Sequence, residues 1–109
     1  MNCIFCKIAN KEIKSSAVFE TKNVLAFDDI NPQAPVHAVV IPKAHMLEIE
    51  ELGAVLPELF VVIAEVAKLK NIKDSGFRVV MNNGPDAGQA VPHLHFHVLG
   101  GRKLKWPPG

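Results

Sequence analysis

Three histidines occupy alternate positions in the segment His93-Leu94-His95-Phe96-His97. In an extended strand, successive side chains point to opposite faces, so a period of two places the three imidazoles together. We therefore predict a strand with the histidines on one face and with Leu94, Phe96 and Val98 directed into a core on the other. Buried polar groups rarely lack a partner, and three imidazoles on one surface favour a chemical role.

A single metal ion bound by all three histidines is disfavoured by strand geometry. Positions two apart are separated by about 6.6 Å and positions four apart by about 13 Å, whereas a zinc ion needs ligand nitrogens at about 2.0–2.1 Å. A neutral imidazole, with an ordinary pKa of about 6.5, can instead act as a nucleophile at neutral pH. The pattern thus indicates nucleophilic chemistry, with the remaining histidines left to carry charge or bind substrate.

The loop before the histidines, residues 82–88, is rich in turn-forming residues. Glycines allow backbone N–H groups to approach an anion, and consecutive N–H groups in a turn form a concave anion site. Gly84, Gly88 and Gln89 are the candidates for such a site. Turns containing glycine are common, but this one leads directly into three aligned histidines, so the combination predicts a phosphate site beside a nucleophile.

Cys3 and Cys6, the only two cysteines, are spaced C-x-x-C. Two cysteines in a reducing compartment do not indicate a disulfide framework, and a redox motif would normally lie near a βαβ pattern, with a strand before it. A tetrahedral zinc site made of two thiolates and two imidazoles remains open. Two buried, reduced thiols without a metal are the alternative.

Composition predicts a single soluble domain that covers residues 1–109. The chain has 12 basic and 11 acidic residues and a net charge of +1, so no basic stripe indicates a nucleic-acid partner. No apolar run reaches the roughly 18 residues that a membrane span needs, and the N-terminal segment lacks the layout of a signal peptide. We therefore expect a cytoplasmic protein with no nucleic-acid or membrane partner.

Hydrophobic periodicity predicts the elements that must position these residues. The histidine strand ends at Gly100-Gly101, and two prolines mark a loop at residues 31–35. Two helices and four further strands are expected: helices at 4–13 and 55–70, and strands at 18–20, 24–27, 36–41 and 77–81. Strands without regular βαβ alternation indicate an α+β fold with an antiparallel sheet of about five strands.

The helix at residues 55–70 is apolar on most of its surface and therefore needs cover on most sides. A second copy of the chain is one source of that cover, and packing within the chain is the other. Trp106 lies in a tail that cannot form a core of its own, and Pro107 and Pro108 disfavour a helix there. A partner subunit is again one candidate to contact it.

The segment from Gln89 to Leu99 resembles the signature of the histidine triad superfamily, in which three histidines alternate with apolar residues. The resemblance extends over essentially the whole chain. Other segments are similar to the Hint branch of that superfamily: Asp29–Pro35, His37, Val40–Lys43, Asn82, Gly88-Gln89, Gly100–Arg102 and Trp106–Gly109. The ending Trp-Pro-Pro-Gly separates this branch from the dinucleotide hydrolases.

The resemblance implies an enzyme that hydrolyses the P–N bond of purine nucleoside 5′-phosphoramidates, such as adenosine phosphoramidate or lysyl-AMP. His95 would be the nucleophile and would form a nucleotidyl-histidine intermediate, which water then hydrolyses. His97 and His37 would stabilise the developing charge. The backbone carbonyl of His93 would orient the His95 ring.

The resemblance also implies the residues that bind the substrate. Asp29 would bind the ribose hydroxyls, with Ile30 packing nearby. The base pocket would consist of Ile4, Phe5, Ile8 and Phe27, and the phosphate loop of Asn82, Gly88, Gln89 and Ala90. At Ala90 the chain departs from the Hint pattern, which often has a serine that helps a proton reach the leaving amine.

Members of the family are homodimers with a sheet that continues across the two-fold axis, and a tail like residues 102–109 contacts the partner subunit. Trp106 would then reach toward the neighbouring active site. Zinc-binding relatives imply a structural zinc on four residues: Cys3, Cys6, His45 and His93. No organic cofactor is expected. Two other functions stay open, a nucleotide-binding scaffold with little catalysis, which Ala90 favours, and a zinc-dependent hydrolase.

Overall fold

Five strands form one antiparallel sheet with the order β1-β2-β3-β5-β4. The computed structural model describes residues 3–109. Met1 and Asn2, the first two residues of the segment predicted not to be a signal peptide, lie outside the described residues. The elements are α1 (Ile4–Ala9), β1 (Ala17–Glu20), β2 (Val24–Asp28), β3 (Val36–Pro42), α2 (Leu56–Leu69), β4 (Phe77–Val80) and β5 (Phe96–Gly100), with short 3-10 helices at Ile49–Ala54 and Pro85–Ala87. The predicted α+β fold, with five antiparallel strands, one long helix and one short helix, is confirmed.

Different helices cover the two faces of the sheet, and the period of two sorts the side chains between them. On β3, Ala38 and Val40 join the cluster packed against α2, whereas Val39 and Ile41 join the cluster packed against α1. Leu94, Phe96 and Val98 belong to the α2 cluster, as the alternation predicts. The histidines between them therefore lie on the side of α1.

Helix α2 buries one face and leaves another uncovered within this chain. Five of its side chains are buried against the sheet and its surroundings: Leu59, Val62, Ile63, Val66 and Ala67. Pro57 lies in its first turn, where a missing N–H costs nothing. Phe60 and Val61 are 50% and 59% exposed, so part of the apolar surface predicted from the sequence has no cover in the described part of the chain.

The predicted boundaries differ from the structure at two places near the site. Helix α1 ends at Ala9 and not at residue 13, because Lys11 adopts a left-handed conformation with φ 64° that a helix cannot continue through. Strand β5 begins at Phe96 and not at His93, because the Leu94 N–H donates to the Met46 carbonyl at 2.9 Å, in a loop outside the sheet. No helix among residues 3–109 combines the length and apolar character needed to cross a membrane.

Candidate active site and metal site

His37, His95 and His97 lie together on the face of the sheet that α1 covers. His97 of β5 pairs with Val39 of β3, and His37 is two residues before Val39, so the two histidines are diagonal neighbours. His37 Nε2 lies 2.8 Å from His97 Nδ1, and the ring centroids of His95 and His97 are 5.0 Å apart. The fold thus brings together the three histidines that the resemblance assigns to catalysis.

Neutral His95 carries its proton on Nδ1. That atom is 2.8 Å from the carbonyl oxygen of His93, and a carbonyl only accepts hydrogen bonds. Nε2 therefore keeps its lone pair, in a residue that is 3% exposed and lies edge-to-face with Phe5 at 5.0 Å. Burial lowers the pKa of His95, so the ring is neutral at neutral pH and Nε2 is available for nucleophilic attack.

The tautomers of His37 and His97 follow from a backbone donor. The Gln33 N–H donates to His37 Nδ1 at 3.0 Å, so neutral His37 carries its proton on Nε2 and donates it to His97 Nδ1. His97 then has its own proton on Nε2, where it can serve as a donor to a ligand. Burial, followed by the neighbouring His95 and His37, lowers the pKa of His97 to about 4.

Asp29 lies beside this pair. Its Oδ2 is 3.3 Å from His37 Nε2 and 4.0 Å from His97 Nδ1, while its Oδ1 accepts from the Asn31 N–H at 2.8 Å. The three side chains are close enough to be considered as metal ligands. However, His37 Nε2 carries a proton and offers no lone pair, so this group is better suited to hydrogen bonding. Ile30, next to Asp29, is 99% exposed, so its side chain has almost no cover from residues 3–109.

An apolar wall adjoins His95. Phe5, Ile8 and Phe27 are buried in one cluster, and the ring centroids of Phe5 and Phe27 are 5.7 Å apart. Ile4 is 48% exposed and lies outside that cluster. The structure therefore joins three of the four residues predicted for a base pocket and leaves Ile4 on the exposed side of α1.

Three backbone donors of the glycine loop make hydrogen bonds within the loop. The Gly84 N–H donates to the Gln89 side-chain oxygen at 2.8 Å, and the N–H groups of Gly88 and Gln89 donate to the carbonyls of Pro85 and Gly84. Gly84 and Gly88 have φ values of 92° and 79°, which only glycine adopts readily. Asn82 is half-buried and Ala90 is exposed, and a phosphate would have to compete for the three internal N–H groups.

Cys3, Cys6, His45 and His93 form a second cluster, whose ligand atoms all lie within 4.8 Å of one another. Tetrahedral zinc with ordinary bond lengths separates a sulfur from a nitrogen ligand by about 3.6 Å. His93 Nδ1 is 3.3 Å from Cys3 Sγ and 3.6 Å from Cys6 Sγ, and His45 Nδ1 is 3.2 Å from Cys6 Sγ. Two thiols and two imidazoles at these separations fit a zinc ion.

The orientation of His93 also fits a metal ligand. Its Nε2 is 2.8 Å from the Pro42 carbonyl and therefore carries the ring proton, which leaves the lone pair on Nδ1 directed toward the cysteines. Such a hydrogen bond on the second nitrogen is the usual support of a metal-bound histidine. Burial, partly opposed by the bond to Pro42, lowers the pKa of His93, which keeps the ring in the neutral, ligating form.

Trp106 lies in the C-terminal tail, next to Arg78 of β4. It is 78% exposed, and the Arg78 guanidinium lies 5.8 Å from its ring centroid. Arg78 also donates to the Lys105 carbonyl at 3.0 Å, so the tail runs beside the start of β4. The predicted contact of Trp106 with the active site of a partner subunit would join two copies of the chain, and it stays a prediction.

Comparison with known proteins places this geometry in a family. Residues 10–104 match the HIT domain. This chain belongs to the HIT family. It is 48% identical, over 97% of its length and 87% of the relative, to a 14 kDa zinc-binding protein of Zea mays.

Solved HIT structures are equally similar. A HIT family hydrolase from Legionella pneumophila has a TM-score of 0.93 at 44% identity, with 99% of this chain and 100% of that one covered. A histidine triad protein from Clostridium difficile has a TM-score of 0.91 at 48% identity, with 96% and 95% covered. The predicted membership of the histidine triad superfamily is therefore confirmed.

Three backbone groups of this HIT domain that shape the site were not found from the sequence. The Gln33 N–H sets the tautomer of His37, the Pro42 carbonyl that of His93, and the Met46 carbonyl anchors the segment before β5. Any residue type can supply such groups, so they carry no compositional signal. Of the three residues, only Pro42 is marked in the sequence, as the proline that ends β3.

The lowered pKa of His97 makes the stability of this HIT domain depend on pH. The unfolded chain has the ordinary value of about 6.5 and binds a proton first, so acid favours unfolding between pH 6.5 and about 4. The His97 contribution is complete above this window, is lost across it, and amounts to about 3 kcal/mol. Urea unfolding at pH 7.5 and pH 4.5 measures the change.

His97→Gln is the matched comparison, because other groups, including the metal cluster, also respond to acid. The loss of stability between the two pH values should be smaller in the variant than in the wild type by the His97 contribution. Equal losses in both proteins would show that His97 does not resist protonation in the folded state.

Proposed function

We propose that this HIT protein is a Hint-branch hydrolase that cleaves the P–N bond of purine nucleoside 5′-phosphoramidates. The observation that carries the proposal is the lone pair on His95 Nε2, which the His93 carbonyl fixes beside His37 and His97. A nucleophile next to donors for a developing charge is what phosphoryl transfer requires. The Legionella relative, described as a hydrolase, supports the same reaction class.

The reaction proceeds in two displacements at the α-phosphorus. In the first, His95 Nε2 attacks phosphorus, and the new N–P bond forms as the P–N bond to the amine breaks. The amine leaves with the electron pair of that bond. It takes a proton from a solvent water, because Ala90 offers no hydroxyl. Water then attacks phosphorus, returns the bonding electrons to Nε2, loses a proton to solvent and releases the nucleoside monophosphate. Throughout, the His97 Nε2–H donates to the phosphoryl oxygens and stabilises their charge.

The nucleotide is held on both sides of the phosphate. Asp29 accepts from the ribose hydroxyls, because a carboxylate is the natural partner of two adjacent O–H donors. The base lies against the apolar wall of Phe5, Ile8 and Phe27, with Ile4 and Ile30 closing over it from their exposed positions. Asn82 and the loop of Gly88, Gln89 and Ala90 adjoin the phosphate.

A structural zinc is part of the proposal. Cys3, Cys6, His45 and His93 would fill all four tetrahedral positions, and zinc bound there supplies a cross-link between the N-terminal segment and the sheet. A closed shell leaves no position for water, which argues against a zinc-dependent hydrolase. The name of the maize relative supports zinc binding. Reduced thiolates suit a reducing compartment, and we infer the cytoplasm.

We further propose that residues 1–109 form one HIT domain that works as a homodimer. Phe60 and Val61 of α2 are half exposed, and Phe77 begins β4, which is an edge of the sheet. Pairing of two β4 edges would continue the sheet across a two-fold axis and cover the apolar side of α2. The tail at residues 102–109 then lies next to the partner subunit, with Trp106 directed to its active site.

Turnover of adenosine 5′-phosphoramidate tests the proposed function. We expect AMP release that is linear in enzyme concentration, and mass spectrometry of rapidly quenched protein should find an AMP adduct on the peptide that contains His95. A second candidate, a nucleotide-binding protein with little catalysis, is favoured by Ala90 alone. AMP binding without release and without an adduct would select that candidate.

A further inference from the structure

Arg102, directly after β5, contacts the loop that leads to the active site. Its Nη2 donates to the Gln33 carbonyl at 3.0 Å, and its Nη1 donates to the Lys103 carbonyl at 3.1 Å. Gln33 is 69 residues away in sequence and lies between β2 and β3. Neither the nucleotide nor the metal assignments give Arg102 a role.

Strand pairing brings the segment after β5 close to the loop before β3. Val36 pairs with Gly100, so Gly101 lies beside Pro35. A Cβ on Gly101 would be 2.9 Å from the Pro35 side chain, and Gly101 has a φ of 89°, so any other residue would be both crowded and strained. Glycine at this position thus delivers the next residue, Arg102, to Gln33.

Gln33 is therefore held at both of its backbone groups. Arg102 binds the carbonyl, and the N–H donates to His37 Nδ1 at 3.0 Å. We infer that Arg102 is a positioning residue: it holds Gln33 so that the Gln33 N–H fixes the tautomer of His37 and, through it, that of His97. The last step rests on the proposed function, in which the His97 Nε2–H binds the phosphoryl oxygens.

Loss of the hydrogen bond from Arg102 to the Gln33 carbonyl would change which ring nitrogens of His37 and His97 carry protons. If the Gln33 N–H turns away, His37 can carry its proton on Nδ1. One proton lies between His37 Nε2 and His97 Nδ1, which are 2.8 Å apart. With His37 Nε2 unprotonated, His97 Nδ1 would carry that proton and donate it to His37. His97 Nε2 would be left with a lone pair facing the phosphoryl oxygens and could not donate to them. The low pKa of His97 prevents a second proton from restoring the donor.

Histidine ring spectra and kinetics together test the inference. Two-bond ¹H–¹⁵N correlations of the ligand-free protein should show the Nε2–H tautomer for His37 and His97 in the wild type. Arg102→Ala should give mixed tautomers at both rings and a kcat about tenfold lower, with a smaller change in KM, because the donor acts mainly on the developing charge. Arg102→Lys keeps one donor for the Gln33 carbonyl and should recover part of both losses.

Lys103→Ala is the matched control, since it removes a neighbouring exposed cation whose side chain does not bind Gln33. It should leave the tautomers and kcat unchanged. Unaltered His37 and His97 tautomers in Arg102→Ala, or an equal loss in Lys103→Ala, would overturn the inference. If the wild type does not turn over the phosphoramidate, the proposed function fails, and the tautomer spectra alone still decide whether Arg102 positions His37.

Discussion

His95→Ala is expected to lower kcat/KM for adenosine 5′-phosphoramidate by about a thousandfold or more, since it removes the only nucleophile of the covalent route. AMP binding should persist, because Asp29 and the apolar wall remain. Steady-state AMP release, adduct detection by mass spectrometry and AMP titration by calorimetry measure the three quantities. Loss of turnover and adduct with retained binding is the expected combination.

His97→Ala provides the comparison for this variant. It should lower kcat by roughly a hundredfold, the usual cost of one donor to a developing charge, but the adduct on His95 should still form. If His95→Ala stayed within about tenfold of the wild type, the nucleophile would have to be another group. If His97→Ala abolished the adduct as completely as His95→Ala, the two histidines could not have the separate roles assigned to them.

Removal of zinc is expected to lower the melting temperature by about 10–20 °C. Zinc at about a hundredfold excess over its dissociation constant stabilises a folded protein by about 2.7 kcal/mol, and each kcal/mol corresponds to about 4–8 °C in a domain of this size. Elemental analysis should give one zinc per chain before chelation. Differential scanning calorimetry before chelation, after chelation and after zinc is restored measures the effect.

His45→Ala separates a metal effect from an effect of the side chain. His45 is only partly buried and contacts Cys6 at 3.2 Å, so the variant should melt close to the metal-free wild type and respond little to added zinc. The chelated wild type should keep turnover within about threefold at 25 °C, because a closed site does no chemistry. Complete loss of turnover with the fold intact would instead favour a catalytic metal.

The alternation around Leu94, Phe96 and Val98 was predictable because a period of two sorts side chains whatever the neighbouring strands are. The convergence of residues 3, 6, 45 and 93 was not, because spacing identifies the C-x-x-C half of such a site and says nothing about where distant histidines lie. Only the resemblance supplied the other two ligands.

Other features depend on tertiary contacts that no local pattern contains. The end of α1 is set by the left-handed Lys11, a residue type that usually continues a helix. The glycine loop was predicted as an anion site, and no local pattern shows that its Gly84 N–H donates to the Gln89 side chain. The tautomers of His37 and His93 depend on backbone atoms of Gln33 and Pro42, which become partners only after the sheet has formed.

The two helices cover the sheet unequally. Helix α2 has 14 residues and buries five side chains, whereas α1 has six residues and buries three, among them Phe5. Local opening costs less where fewer apolar contacts are lost, so without a metal we expect α1 to open at a lower free energy than α2 and the strands. A zinc ion on Cys3 and Cys6 would oppose that opening, and because Phe5 lies against His95, the metal would act as a clamp that keeps one wall of the site in place.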